Sequence, residues 1–287
     1  MLLLISSLLA AQDTPMHGQT IESRIFQSEI LQREIEYSIY LPPNYGQNGD
    51  AYPVLYALHS FGNTPAEYFA GIKFHQLTDK LIAEDVIPPF IIITPSAGIT
   101  WYMNNYNNDV RYEDMFIQEF KRFIDENYLT REGRQSQALM GFSMGGSGSL
   151  LYAMKHPDLF GSAVGYCAGF STKKQVVADI DSEYKIYHHS LYGSDLKGEA
   201  RVNHHFLDNN PLYLAQSLDV EKLRSVRWFI STADLDYHSI GNAALHLTFR
   251  EREIPHEFRV TDGGHNYEHV EDVMEEGLLF IGASFSH

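Results

Sequence analysis

One serine, one histidine and a pair of carboxylates carry the chemistry that this sequence announces. Met140-Gly141-Phe142-Ser143-Met144-Gly145-Gly146 contains Gly-x-Ser-x-Gly. An apolar run ending in Ala138-Leu139-Met140 leads into it, and a helix-like segment, Ser149 to His156, follows until Pro157 stops it. Strand, sharp turn and helix form the context of a nucleophile elbow. The glycines give the clearance that such a turn demands. The helix that begins after Ser143 aims its first N–H groups at any anion formed beside the serine. Among 14 histidines, His265 is the candidate base. It follows the strand-like His256–Val260 in Asp262-Gly263-Gly264-His265, at a strand's C-terminal end, where open α/β sheets collect functional groups. The orienting acid should fall between serine and histidine. The apolar strand Arg227–Thr232 ends in Ala233-Asp234-Leu235-Asp236. Asp234 is the first carboxylate past the strand and is assigned the role, with Asp236 as the fallback. Serine, base and acid in this order make acyl transfer the expected chemistry.

That chemistry also needs donors for an oxyanion. Val54–Leu58 reads as a buried strand delivering His59-Ser60-Phe61-Gly62-Asn63, so the backbone N–H groups of Phe61 and Met144 are the expected pair. His59 precedes the serine, in the wrong order for the base, and is expected to have a structural hydrogen-bonding role. His188-His189 and His204-His205 lie in polar, irregular sequence and read as loop residues, since they lack ordered metal-ligand spacing.

The elements that must position these groups alternate between strand-like and helical runs, which argues for a mostly parallel sheet covered on both faces. From Arg111 to Tyr128, Tyr112, Met115, Phe116, Phe120, Phe123 and Ile124 recur at helical steps. Helices are predicted at about Ile240–Arg252 and His269–Phe280. With 287 residues and 44% hydrophobic content, the chain can bury one large core. The segment from Ala168 to Leu218 is irregular and reads as a cap over the site. It holds Phe170, Tyr184, Tyr187, Tyr192 and Phe206, either stacking on a ring-bearing ligand or packing the cap onto the body. Trp101, Tyr102 and Tyr106 sit in an Asn-rich loop after Ile91-Ile92-Ile93. Trp101 and Tyr102 are the candidate substrate-binding residues.

These motifs together resemble an esterase family of α/β-hydrolases that takes in esterase D (S-formylglutathione hydrolase), feruloyl and acetylxylan esterases of carbohydrate esterase family 1, tributyrin-type and enterobactin esterases, and mycolyltransferases. The resemblance runs from about Arg33 to Phe285. It rests on Leu58-His59-Ser60-Phe61-Gly62, Ser96-Ala97-Gly98 with Trp101-Tyr102, Arg111-Tyr112-Glu113-Asp114, Gly141 to Gly146, Lys155 to Phe160, Thr232-Ala233-Asp234 and Gly263-Gly264-His265. It implies an α/β-hydrolase fold with a mostly parallel central sheet, helices on both faces and a small cap insertion at about 168–218. It also implies a serine carboxylesterase acting on feruloyl or acetyl esters of plant cell-wall carbohydrate. An S-formylglutathione hydrolase-like thioesterase is the alternative, and a non-catalytic binding module on the same scaffold is the rival from another class. Two departures stand out. Ser60 occupies a position where many relatives have glycine, and Asn266-Tyr267 replaces a tryptophan common after the histidine.

Met1 to Ala10 is short and apolar, and Ala10-Ala11-Gln12-Asp13 reads as a cleavage region, although no Lys or Arg precedes the apolar run. This predicts an export signal over 1–11, a single catalytic domain over 12–287, and a periplasmic or secreted enzyme, with the cytoplasm as the alternative. Cys167 is the lone cysteine and should be buried and inert. The formal charge of −16 argues against nucleic acid and anionic membranes as partners. It leaves a small-molecule or polysaccharide-linked ester as the expected partner. No P-loop, dinucleotide fingerprint or spaced Cys/His cluster appears, so neither a cofactor nor a metal is expected.

Overall fold

The computed structural model describes residues 17–286, so the expected export signal over 1–11 lies outside the described residues. Eight strands form one sheet: β1 (Gln19–Ser28), β2 (Arg33–Leu41), β3 (Val54–Leu58), β4 (Ile91–Pro95), β5 (Gln137–Phe142), β6 (Ser162–Tyr166), β7 (Arg227–Ala233) and β8 (Glu257–Thr261). Their spatial order is β1-β2-β4-β3-β5-β6-β7-β8. The β1–β2 and β2–β4 pairs are antiparallel. Every pair from β4–β3 to β7–β8 is parallel.

The central strands are buried along their whole length. This is why they read as unbroken apolar runs rather than alternating ones. Alternation survives in which layer each residue joins. Val54, Tyr56, Leu58 and Leu139 enter the core under Phe116, Phe120, Leu150 and Leu245. Leu55, Ala57, Ala138, Met140 and Phe142 enter the opposite core with Tyr68, Phe69, Leu81 and Leu278. The first core lies beneath the helices Met144–Lys155 and Ser239–Glu251, and the second beneath Pro65–Ile72, Phe74–Ala83 and Tyr267–Phe285. The helical run expected from Arg111 to Tyr128 is continuous but not uniform. It passes from α over Tyr112–Asp114 through a π-helical stretch, Met115–Phe120, and back to α over Lys121–Asn127.

Helix Met144–Lys155 is the central support of the site. All of its residues except Lys155 are buried, so its small residues serve packing rather than flexibility. A Cβ on Gly145 would stand 1.9 Å from the Leu58 carbonyl oxygen, and one on Gly148 would stand 2.7 Å from the Tyr102 ring. The helix can pass this close to β3 and to the loop after β4 only without those side chains.

The irregular segment folds into short helices: Lys173–Ala178, Asp181–Tyr187, His189–Tyr192, His204–Asp208 and Pro211–Ser217. His189, His204 and His205 therefore belong to helices, not to the loops expected of them. Phe170, Tyr184, Tyr192 and Phe206 are buried in the core below; Tyr187 is exposed. Arg201 binds the segment together. It is 1% exposed, donates to the carbonyls of Leu196, Val176 and Asp179 and to the Asp181 carboxylate, and stacks 4.2 Å above the Tyr184 ring. A buried guanidinium is tolerated because its donors are so fully matched.

Gly145→Ala should lower stability by about 3 kcal/mol, since the new methyl group collides with rigid backbone. Thermal melting of the purified variant should show a fall of roughly 5–10 °C; an unchanged midpoint would contradict the close approach.

Candidate active site

Ser143 sits between β5 and its helix at φ 58, ψ −119, a conformation costly for a residue with a Cβ. Main-chain bonds hold it there. Its N–H donates to Tyr166 O at 3.0 Å, and its carbonyl accepts from Gly169 N at 2.8 Å. The Ser143 hydroxyl is thereby presented to His265, with 2.7 Å between Oγ and Nε2. The imidazole is fixed on three sides. Phe142 stacks on it at 4.8 Å, His238 meets it edge-on at 5.3 Å, and Nδ1 donates to a carboxylate 2.7 Å away.

That carboxylate is Asp236, not Asp234. Ladder-like bonding continues past the end of β7: Asp234 N donates to Thr261 O and Leu235 N to Gly263 O. Asp234 is exposed, and its Oδ1 accepts from Gly263 N at 3.0 Å, which clips the acid loop to the histidine loop. The chain turns only at Asp236, whose N–H bonds back to Ala233 O. This sends the Asp236 side chain inward, where it is fully buried. Burial alone would raise its pKa, but the His265 hydrogen bond and charge, with help from the His238 N–H and the Cys167 thiol, hold it below the usual carboxylate value. The signal for this choice was present as Asp236-x-His238, an Asx-type turn just ahead of a helix.

Facing Ser143, the Ser60–Asn63 turn uses Gly62 N on Gly98 O and Asn63 N on Ser60 O. The expected oxyanion donors, the N–H groups of Phe61 and Met144, stand outside those bonds. Met144 is the first residue of its helix, so its N–H has no intrahelical acceptor. His59 has the structural role expected of it: Nδ1 donates to Ser60 O and Nε2 accepts from Ala97 N. Burial pushes its pKa down to about 4, so it is neutral at physiological pH. His238 is lowered to about 4 by burial and by the neighbouring His265.

A cavity of about 630 Å³ opens over Ser143, His265 and Asp236. Trp101 lines it. Tyr102 does not contact it: this residue is fully buried and donates its hydroxyl to His59 O at 3.1 Å. Consecutive left-handed residues, φ 54 at Trp101 and φ 61 at Tyr102, send the two rings in different directions. A substrate role for Tyr102 is therefore replaced by support of the oxyanion loop. The Asn-rich loop is likewise self-bonded. Asn105 Oδ1 accepts from Asp109 N and Val110 N, and Asn104 O binds His205. Tyr106 lies against His205, away from the cavity. Sequence reasoning missed Asp179, Glu183, His188, Tyr237 and His238 as cavity residues, because nothing local marks which positions of the cap and the acid loop turn inward; Tyr267, beside the histidine, lines the cavity too.

Sheet order, elbow and opposed acid and histidine loops define an α/β-hydrolase. A family model for esterases, described as "Putative esterase", matches residues 28–280, and the chain belongs to this family. It is 31% identical over 156 residues to an "Endo-1,4-beta-xylanase/feruloyl esterase" of Xylanibacter ruminicola, a match covering 50% of this chain and 21% of that protein. It is 29% identical over 262 residues to "Esterase MT1326" of Mycobacterium tuberculosis, covering 84% and 54%. The chain thus spans about half or less of the length of these relatives. Among solved structures, a ferulic acid esterase superposes with TM-score 0.79 at 27% identity, covering 94% of this chain and 99% of that one. An S-formylglutathione hydrolase from Agrobacterium tumefaciens shares the fold, with TM-score 0.75 at 16% identity and coverage of 95% and 98%.

Two outcomes follow from this geometry. Asp236→Asn should cost ester hydrolysis about four decades in kcat, through the wrong imidazole tautomer, whereas Asp234→Asn should cost less than tenfold; initial-rate kinetics on a short p-nitrophenyl ester compare them directly. Stability should also fall in acid. An unfolded histidine titrates near 6.5, so below that pH the unfolded chain takes up a proton that folded His59 refuses until about pH 4. Protection is complete above pH 6.5, and on the order of 2 kcal/mol should be lost by pH 5 from this residue. Urea midpoints at pH 7.5 and pH 5 measure the difference.

Proposed function

We propose that the protein is a serine carboxylesterase working through an acyl-enzyme. Ser143 Oγ attacks the ester carbonyl as His265 Nε2 takes its proton. The N–H groups of Phe61 and Met144 stabilise the tetrahedral oxyanion. As the carbonyl reforms, the C–O bond to the alcohol breaks and His265 returns the proton to that oxygen. Water then enters, loses a proton to His265 and attacks the acyl carbon, and Ser143 leaves as its hydroxyl is reprotonated. Asp236 holds the imidazole tautomer and stabilises its charged form. The observation that carries this reading is the relay of two 2.7 Å hydrogen bonds from Ser143 through His265 to buried Asp236.

For the substrate, we infer feruloyl or acetyl esters on plant cell-wall carbohydrate, handled outside the cytoplasm. Support comes from an aromatic wall of Phe61, Trp101 and Tyr187, with ring centroids 5.3–6.0 Å apart, and from the likeness to a ferulic acid esterase and to a xylanase/feruloyl esterase. Stacking a planar acyl ring on such a wall contributes about 0.5–1.5 kcal/mol beyond its burial.

Ser143→Ala should reduce kcat by roughly three to six decades with the fold intact, and a fluorophosphonate probe should label the wild type but not the variant. Turnover near wild type would sink the mechanism. On a panel of substrates, kcat/KM for methyl ferulate or acetylated xylo-oligosaccharide should exceed that for S-formylglutathione; the reverse order would favour the thioesterase reading. N-terminal sequencing of exported protein should find a start near Gln12.

A further inference from the structure

The polar side of the cavity is electrically one-sided. Asp179, Glu183 and Asp236 line it with His188, His238 and His265, and no Lys or Arg does among the described residues. Asp236 is committed to His265; the other two acids belong to the cap rim. Asp179 is held in place by the Tyr237 hydroxyl, 3.1 Å from Oδ1, and by His188 Nδ1, 3.4 Å from Oδ2. Burial opposes its charge, but these partners hold its carboxyl below the ordinary value. Glu183 lies in the first turn of helix Asp181–Tyr187, is exposed, and has no ion-pair partner among the described residues. Of the nearby cations, Lys197 and Arg201 both bind Asp181; Arg201 also donates to the Asp179 carbonyl, and its charge helps to lower the Asp179 pKa. A substrate entering over Tyr187 and Tyr237 therefore passes Glu183, which has no such partner, beside Asp179, whose charge is partly offset by His188 and Arg201.

We propose that Asp179 and Glu183 act as a charge filter at the cavity mouth, admitting esters of uncharged, hydroxyl-rich alcohols and turning away esters whose leaving group is anionic. This rests on Ser143 being the nucleophile at the bottom of that cavity. Ionised carboxylates are pure acceptors, matched by the several O–H donors of a sugar. An anionic leaving group meets the like charge of Glu183, and that of the partly offset Asp179, within a cavity of about 630 Å³, where salt screens charges over about 8–10 Å. Repulsion acts on the bound ester and on the departing product alike. A glutathione thioester, with two carboxylates of its own, falls in the disfavoured class, whereas a feruloyl or acetyl ester of a neutral sugar does not.

The test uses two acetates with the same acyl group, 4-nitrophenyl acetate and its 3-carboxy derivative, which is anionic at neutral pH. The quantity read is the anionic-to-neutral ratio of kcat/KM. Glu183→Gln should raise the ratio about threefold and Glu183→Lys about tenfold, as expected for one and two units of charge change at this range. Asp179→Asn should act in the same direction. Raising NaCl from 20 to 500 mM should raise the wild-type ratio and narrow the gap between variants. Glu251→Lys, at the far end of helix Ser239–Glu251, makes the same change in net charge and should move the ratio less than twofold. A ratio that stays flat through the Glu183 and Asp179 variants in an active enzyme overturns the filter, as does an equal response to Glu251→Lys. Failure to hydrolyse either acetate, with Ser143 unlabelled by fluorophosphonate, would instead bring down the serine mechanism and the filter with it.

Discussion

The site depends on a strained residue that its surroundings do not allow to relax. Ser143 at φ 58, ψ −119 carries a penalty of order 1–3 kcal/mol, and several features of the sheet centre resist its release. Its N–H and carbonyl are both bonded to the chain at and after the end of β6. The helix that follows is pressed against the Leu58 carbonyl at a distance only Gly145 permits. The strain fixes the direction of Oγ, and the fixed direction makes a 2.7 Å contact with His265 possible without ordering a mobile side chain at the moment of reaction. Preorganisation of this kind costs stability in the folded protein and lowers the entropy lost at the transition state.

The acid and histidine are positioned by a second constraint, the registry of β7 and β8. Ala233 pairs with Thr261, and bonding runs on through Asp234 to Leu235. His269 reinforces it from below, with ring nitrogens 2.9 Å from Ser231 Oγ and 2.6 Å from Thr261 Oγ1. The two loops therefore leave the sheet at a set separation. This explains why the strand end read from sequence misplaces the acid by two residues. The apolar run marks where the strand stops being buried, not where its hydrogen bonds stop. Asp234 lies within the bonded extension, and Asp236 is the first carboxylate free to turn inward.

Elsewhere, legibility follows how local the determining physics is. The elbow, the strands and the Ser–acid–His order are written in short-range patterns of glycine, apolar runs and chain order, and they could be read directly. Trp101 and Tyr102 are adjacent and chemically alike, yet one lines the cavity and the other is buried against Gly148 and His59. Their fates diverge because of two successive left-handed residues, which neither side chain announces. The cap is harder still. Its aromatics are mostly core, and its organisation hangs on Arg201, whose partners span Val176 to Leu196. No pattern within the segment marks that arginine as buried.

Electrostatically, the site keeps its charge where the chemistry needs it. His59 and His238 flank the reacting groups, and burial depresses both towards pH 4, so neither brings positive charge to compete with His265 for Asp236. Asp236, buried yet held ionised, therefore acts on a single imidazole. At the cap rim the balance differs: Asp179 is paired with His188, whereas the exposed Glu183 has no ion-pair partner among the described residues. On the proposed mechanism, a substrate passes that charge before reaching Ser143 and His265. Under the proposed filter, negative charge at the rim acts on which ligand enters, whereas Asp236 acts on the imidazole, so choice of substrate and support of the base fall to different carboxylates.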